Sequence, residues 1–251
     1  MKAVMNFRLL YKLVFIVLLF SSGLIIAGII FPLISLICSV NAAKSYKDYL
    51  KTLWLKVFSI IVALRITKIG QLPSQNVLLV SNHISWLDII VIGQFLPAYF
   101  VAKSDILNWP IIGYLARQGG TIFIRRGDKQ HILATSEKML GLLKQQSNII
   151  AFPEGTTTSG ETVLNFHASL FQPALLTQSL VQPVVIQYTG LAKQTAPFIG
   201  DDEFASHLLK MLKLKTIDVQ LSFLSPIETV GKTRQAVCHQ SHALITEQLN
   251  N

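Results

Sequence analysis

Cysteine is nearly absent from this 251-residue chain: Cys38 sits in an apolar run and Cys238 near the C-terminus. Placed so, the pair offers neither a disulfide framework nor a zinc framework and points to reduced thiols in a reducing compartment. Charge is scarce too, 14% against a usual share of roughly 25%, while 51% of the residues are hydrophobic. Acidic residues are the scarcer kind, 13 against 22 basic ones, for a formal net charge of +9. A chain this basic meets either nucleic acid or an anionic membrane leaflet. Nucleic-acid binding needs basic patches interleaved with aromatics on a soluble face, and the lysines here gather around an apolar N-terminus, so the membrane is the expected partner. No G-x-S-x-G elbow occurs, and neither cysteine follows a strand with a histidine nearby, which argues against a covalent nucleophile. Without internal repeats or low-complexity linkers, the length holds one core, or one core with an appendage.

What is present begins with Leu13 to Val40, about 28 residues without a charge and longer than the roughly 20 needed to cross a bilayer. A signal peptide would carry a shorter apolar stretch and a small-residue cleavage site. Pro32 lies inside the run and is a place for a kink. Lys2, Arg8 and Lys12 precede it and Lys44, Lys47, Lys51 and Lys56 follow. The positive-inside rule therefore draws both ends to the cytoplasmic side, as a bent or re-entrant helix allows. Between Tyr46 and Leu64, Leu50, Leu53, Trp54, Val57, Phe58 and Ile61 recur at helical spacing among lysines, the pattern of an interfacial amphipathic helix or of an ordinary helix packed on a core. Residues 1–66 are thus an expected membrane anchor and residues 67–251 an expected catalytic domain.

Beyond residue 66, runs rich in Val and Ile at 76–81, 98–102, 121–124, 148–152, 184–188 and 217–224 read as strands, and 128–146 reads as a helix. Alternation of the two predicts an α/β fold with a mostly parallel mixed sheet flanked by helices, its function in loops at the carboxyl ends of strands. Three stretches occupy such ends. In "SNHISWLD", His83 precedes Asp88 by five residues. Ser85 and Asp88 have the spacing of a capping box, and the same spacing lets Asp88 hold one nitrogen of His83 while the other accepts a proton. "GGTIFIRRGD" puts Arg125 and Arg126 after a short strand, where a guanidinium can grip a phosphate. "AFPEGTTTSGE" carries Glu154 into a glycine turn.

Together and in this order the three resemble the motifs of the glycerolipid acyltransferase family. Asn82-His83 with Asp88 matches the first block, Gly120, Ile122, Phe123 and Arg126 the second, and Phe152 to Thr156 the third letter for letter; the strand "LVQPVVIQY" with Pro183 is similar to a fourth. The likeness covers about residues 65–190. It implies transfer of a fatty acyl group from acyl-CoA or acyl carrier protein to the free hydroxyl of a lysolipid, at the cytoplasmic face of the inner membrane and without a cofactor or metal. His83 and Asp88 would be the catalytic pair, and Asn82, Ser85, Arg126, Glu154, Gly155 and Thr156 would bind substrate. The acceptor first implied is 1-acyl-sn-glycerol-3-phosphate. Thr157 stands where phosphatidate-forming members commonly have arginine, so lyso-ornithine lipid is the alternative acceptor. His167 in "FHASLF" is a candidate for the substrate wall, and "CHQSH" at 238–242 reads as a C-terminal helix rather than a metal site. An inactive membrane-bound interaction protein is the remaining reading; an intact His83 and Asp88 speak against it.

Overall fold

The structure, a computed structural model, describes residues 2–125 and 129–250. The chain opens with helix α1 (Lys2–Ile25), which passes through a π turn at Ile26–Ile30 directly into α2 (Phe31–Ile37). Pro32 therefore does not end the helix. In the widened turn just before it Phe31 N donates to Ile26 O, and the helix continues through a residue that has no backbone donor of its own. The break comes at Cys38 and Ser39, whose backbones are extended, and α3 (Val40–Val62) then packs against both α1 and α2. Phe7–Ile37 is long and apolar enough to cross a membrane, and much of its surface, including Phe15, Leu18 and Ile29, is exposed.

The remaining elements follow as β1 (Leu64–Ile69), β2 (Val77–Ser81), α4 (Asp88–Gly93), β3 (Ala98–Lys103), α5 (Ile112–Gln118), β4 (Ile122–Ile124), α6 (Lys129–Lys144), β5 (Asn148–Ala151), α7 (Gln172–Leu176), β6 (Leu180–Tyr188), α8 (Ala192–Thr195), α9 (Phe204–Lys213), β7 (Ile217–Phe223) and α10 (Arg234–Asn250). Among the described residues the strands form one sheet in the order β1-β7-β6-β2-β5-β3-β4, parallel at every junction except β6 with β7. This is the mixed, mostly parallel sheet that the alternation predicts. β1 is an addition: "LRITKI" alternates apolar and polar residues only from Leu64 to Thr67 and is poor in apolar residues beyond, and its pairing with β7 fixes it.

Both faces of the sheet are covered. Along β2, Val77 and Leu79 join a core with α4 and α9, while Leu78 and Val80 join one with α6 and α10, so an uninterrupted apolar run is buried on two sides. The first core extends into the N-terminal helices through Ile16, Leu19, Phe58 and Val62. The expected boundary between residues 66 and 67 falls inside β1, and one core runs through both parts.

Lys12 shows how tightly they join. It is 1% exposed, and its Nζ donates to the carbonyls of Val62 (3.2 Å), at the end of α3, and Leu214 (2.9 Å), just after α9. Far from decorating a lipid-facing flank, this lysine ties two helix C-termini, where carbonyls lack partners and cations are favoured. Lys12→Met should leave both oxygens without their donor and cost about 1–3 kcal/mol, measured as a lower unfolding temperature of the detergent-solubilised protein.

Candidate active site

β2 ends at Ser81, and the next seven residues are held by side chains rather than by a ladder. The Asn82 amide faces the backbone of Ile186 on β6: its Nδ2 donates to Ile186 O and its Oδ1 accepts from Ile186 N, both at 2.9 Å. Asn82 thus adds one more rung between β2 and β6, made by a side chain. At the far end of the loop Asp88, 0% exposed, turns its carboxylate back. Oδ2 accepts from Ile84 N (2.7 Å), Ser85 N (2.9 Å) and the His83 ring at Nδ1 (2.8 Å), while Oδ1 accepts from the Tyr188 hydroxyl (2.8 Å). One carboxylate therefore holds both the loop amides and the histidine ring. The helix starts at Asp88 itself, because Ser85, buried with its hydroxyl unbonded, does not cap it.

A carboxylate at Nδ1 makes that nitrogen the protonated one and leaves Nε2 with the lone pair. The imidazole is stacked on Phe152 with ring centroids 4.0 Å apart. Phe152 opens a tight turn in which Gly155 N donates to Phe152 O and Gly155 takes φ +75°, a conformation glycine adopts freely. The turn delivers Glu154 beneath the loop, where Oε1 accepts from His83 N (2.7 Å) and Oε2 from Leu164 N (2.8 Å). Burial pushes the Glu154 carboxyl above its ordinary range, and the two amide donors oppose that shift. Burial and the charge of Asp88 push the Tyr188 phenol well above its ordinary value, which keeps it a neutral donor.

His83 lines a cavity of about 690 Å³. Its wall is largely apolar and comes from both parts of the chain: Phe20, Ala27 and Trp54 of the N-terminal helices face Trp86, Phe198 and Phe204. Gly155, Thr156, Thr157 and His167 reach the same space, and the charged groups along it include Lys51, Lys103, Asp105 and Asp202. Asn82, Ser85 and Glu154 stand behind the histidine, their polar atoms turned to backbone or left unbonded. Arg126 lies outside the described residues; Arg125, just after β4, is exposed. Of the "CHQSH" residues, Cys238 and His242 lie on α10 and face the carbonyls of Phe166 and Val163.

Tyr188, Trp86 and Lys103 were not anticipated. Lys103 ends β3, so the rule that placed the arginines would have found it. Tyr188 shares a sheet face with Ile186, two residues earlier on β6, but nothing in the sequence tells a buried tyrosine with a partner from one without.

A family model described as Acyltransferase matches residues 63–187. The lyso-ornithine lipid O-acyltransferase of Pseudomonas aeruginosa is 39% identical over 178 residues, 70% of this chain and 69% of that protein. The 1-acyl-sn-glycerol-3-phosphate acyltransferase of Neisseria gonorrhoeae is 34% identical over 153 residues, 59% of each. The crystal structure of the 1-acyl-sn-glycerophosphate (LPA) acyltransferase PlsC from Thermotoga maritima superposes with a TM-score of 0.72 over 97% of this chain and 96% of that one, at 19% identity, and shares the fold.

Trp86, on the cavity wall, donates from Nε1 to Nδ1 of His207 (3.0 Å), whose Nε2 meets Pro197 O at 3.2 Å. Only the neutral imidazole can accept from Trp86, and burial holds His207 below its ordinary 6.5. A depressed value means that the stability from this group is complete above pH 6.5 and is lost as pH falls through its folded value. Glutamine keeps one acceptor and one donor without titrating. Between about pH 7.5 and pH 5 the wild type should therefore lose more thermal stability than His207→Gln, as paired melting curves would register.

Proposed function

The chain belongs to the acyltransferase family, and on that premise we propose that it transfers a fatty acyl group from an acyl-CoA or acyl-carrier-protein thioester to the free hydroxyl of a lysolipid. The observation that carries the reading is His83, held at Nδ1 by a buried carboxylate and bordering an apolar-walled cavity. Nε2 takes the proton of the acceptor hydroxyl as its oxygen attacks the thioester carbonyl. The tetrahedral adduct then collapses, breaking the carbon–sulfur bond, and the imidazolium returns the proton to the departing sulfur. Asp88 stabilises the imidazolium between the two steps and does not itself change protonation. An ester forms, a thiol leaves, and the chemistry calls for no cofactor. Asn82 and Glu154 serve by holding the backbone on either side of His83, whereas Gly155 and Thr156, on the wall, meet the substrate.

Lyso-ornithine lipid is the acceptor that the cavity favours. Lys103 with Asp105 and Asp202 gives its wall both signs of charge, suited to an amino-acid headgroup with a carboxylate and an amine. Thr157, whose hydroxyl donates to the carbonyl of Phe198, leaves a bare phosphate without a second guanidinium there. Lysophosphatidate is the second reading, favoured by Arg125 beside Arg126 and by the Neisseria relative. The apolar Phe7–Ile37 helix and the basic residues around it support, as part of this proposal, a place at the inner membrane with the cavity on the cytoplasmic side, where the thioesters are.

His83→Ala should lower acyl transfer about 10²- to 10⁴-fold while leaving the protein folded and membrane-bound, and Asp88→Asn should be severe too. Detergent-solubilised protein given a labelled acyl thioester and a mixture of lyso-ornithine lipid and lysophosphatidate reads both rate and preference. Full turnover by His83→Ala would refute the mechanism, and no turnover by the wild type with any lysolipid would favour the inactive interaction protein.

A further inference from the structure

The two oxygens of Asp88 are treated unequally. Oδ2 already accepts from two backbone amides and from His83, and those donors are fixed by the course of the loop. Oδ1 accepts from a side chain that comes from 100 residues away, the last residue of β6. Tyr188 is 3% exposed. A buried phenol needs a partner for its hydroxyl, and phenylalanine would fill the same space without that requirement. The hydroxyl therefore has a use that packing alone does not explain.

We infer that Tyr188 is a positioning residue for the catalytic base: by donating to Oδ1 it fixes the Asp88 carboxylate and draws off part of its negative charge, which sets how strongly Asp88 holds a proton on His83. The inference rests on the general-base reading of His83. A carboxylate stripped of this donor would bind the imidazolium more strongly, and the histidine would stay protonated, unable to accept the hydroxyl proton, to a higher pH. A stronger donor would act the opposite way. Among the described residues the other ionisable groups around His83 are Glu154 beneath the loop and, along the cavity, Lys51, Lys103, Asp105, His167 and Asp202, while Glu161 and Lys193 share a small pocket with Tyr188. None of them is altered by a change at position 188, so the comparison isolates the phenol.

The test is the pH dependence of kcat/KM for the full-length protein in detergent, with saturating acyl thioester. Tyr188→Phe should lower kcat/KM about tenfold or more and move the acid limb of the profile upward by about half a unit to one unit. Suppression of a stop codon at position 188 with 3-fluorotyrosine, a better donor of nearly the same size, should move that limb downward. The phenol's raised value keeps even the fluorinated ring neutral. Opposite shifts in the two proteins support the inference. Profiles that keep the wild-type midpoint, whatever the loss of rate, would overturn it and reduce Tyr188 to packing. Should Tyr188→Phe fail to fold, the fluorinated protein decides alone. His83→Ala separates the two levels: if it is inactive and the profiles do not move, the assignment of Tyr188 falls and the base stands.

Discussion

A carboxylate with no solvent exposure must find its partners inside the protein, and Asp88 finds four. An ionised group so buried is costly unless its oxygens are met by donors. That demand shapes its surroundings. The chain between Ser81 and Asp88 has to double back to aim the amides of Ile84 and Ser85 at one oxygen. The helix cannot begin until the carboxylate is in place. β6 has to run four residues beyond Val184, where its pairing with β2 ends, to deliver a phenol to the other oxygen.

The loop is stitched from three directions as a result. β6 holds it through Asn82 and Asp88, the turn at 152–158 through Glu154 and the backbone amide of Thr158, which donates to His83 O, and the segment before α9 through Phe198 N, which donates to Ile84 O. A histidine anchored so completely has little freedom left, and what freedom a substrate needs belongs to the cavity instead. That cavity is bordered on one side by Phe20, Trp54 and Phe58, so the helices that carry the apolar surface also complete the site.

Sequence patterns locate strands and turns far better than they locate partners. The strands at 77–81, 98–103, 148–151 and 217–223 were legible because apolar β-branched runs bounded by polar turns leave few alternatives. β1 was not, since its mixed residues acquire strand character from β7, more than 150 positions away. His83, Asp88 and Glu154 stood out through three motifs in a family-like order, since the spacing of Ser85 and Asp88 taken alone fits a capping box as well. What spacing cannot say is which way a carboxylate faces: Glu154 reads as a substrate ligand in one dimension and proves to grip the amides of His83 and Leu164 in three. Ser85 reads as a cap, and its hydroxyl is buried without a bond. Lys12 reads as one of several flanking charges, and its inward turn follows from two carbonyls supplied by segments as distant as residue 214.

The pairing of β1 with β7 has a consequence for the order in which the protein can be built. β1 lies at the edge of the sheet and pairs there with β7, more than 150 positions later, and the Lys12 ammonium waits for the Leu214 carbonyl across 202 positions of chain. Contacts of such sequence separation form late, after a large entropy of loop closure has been overcome. During synthesis α1 to α3 are therefore made before the surface that later covers them, while α1 and α2 expose apolar side chains such as Phe15, Leu18 and Ile29. On the proposed membrane placement, a bilayer would serve these helices as a chaperone before it serves the finished protein as a surface.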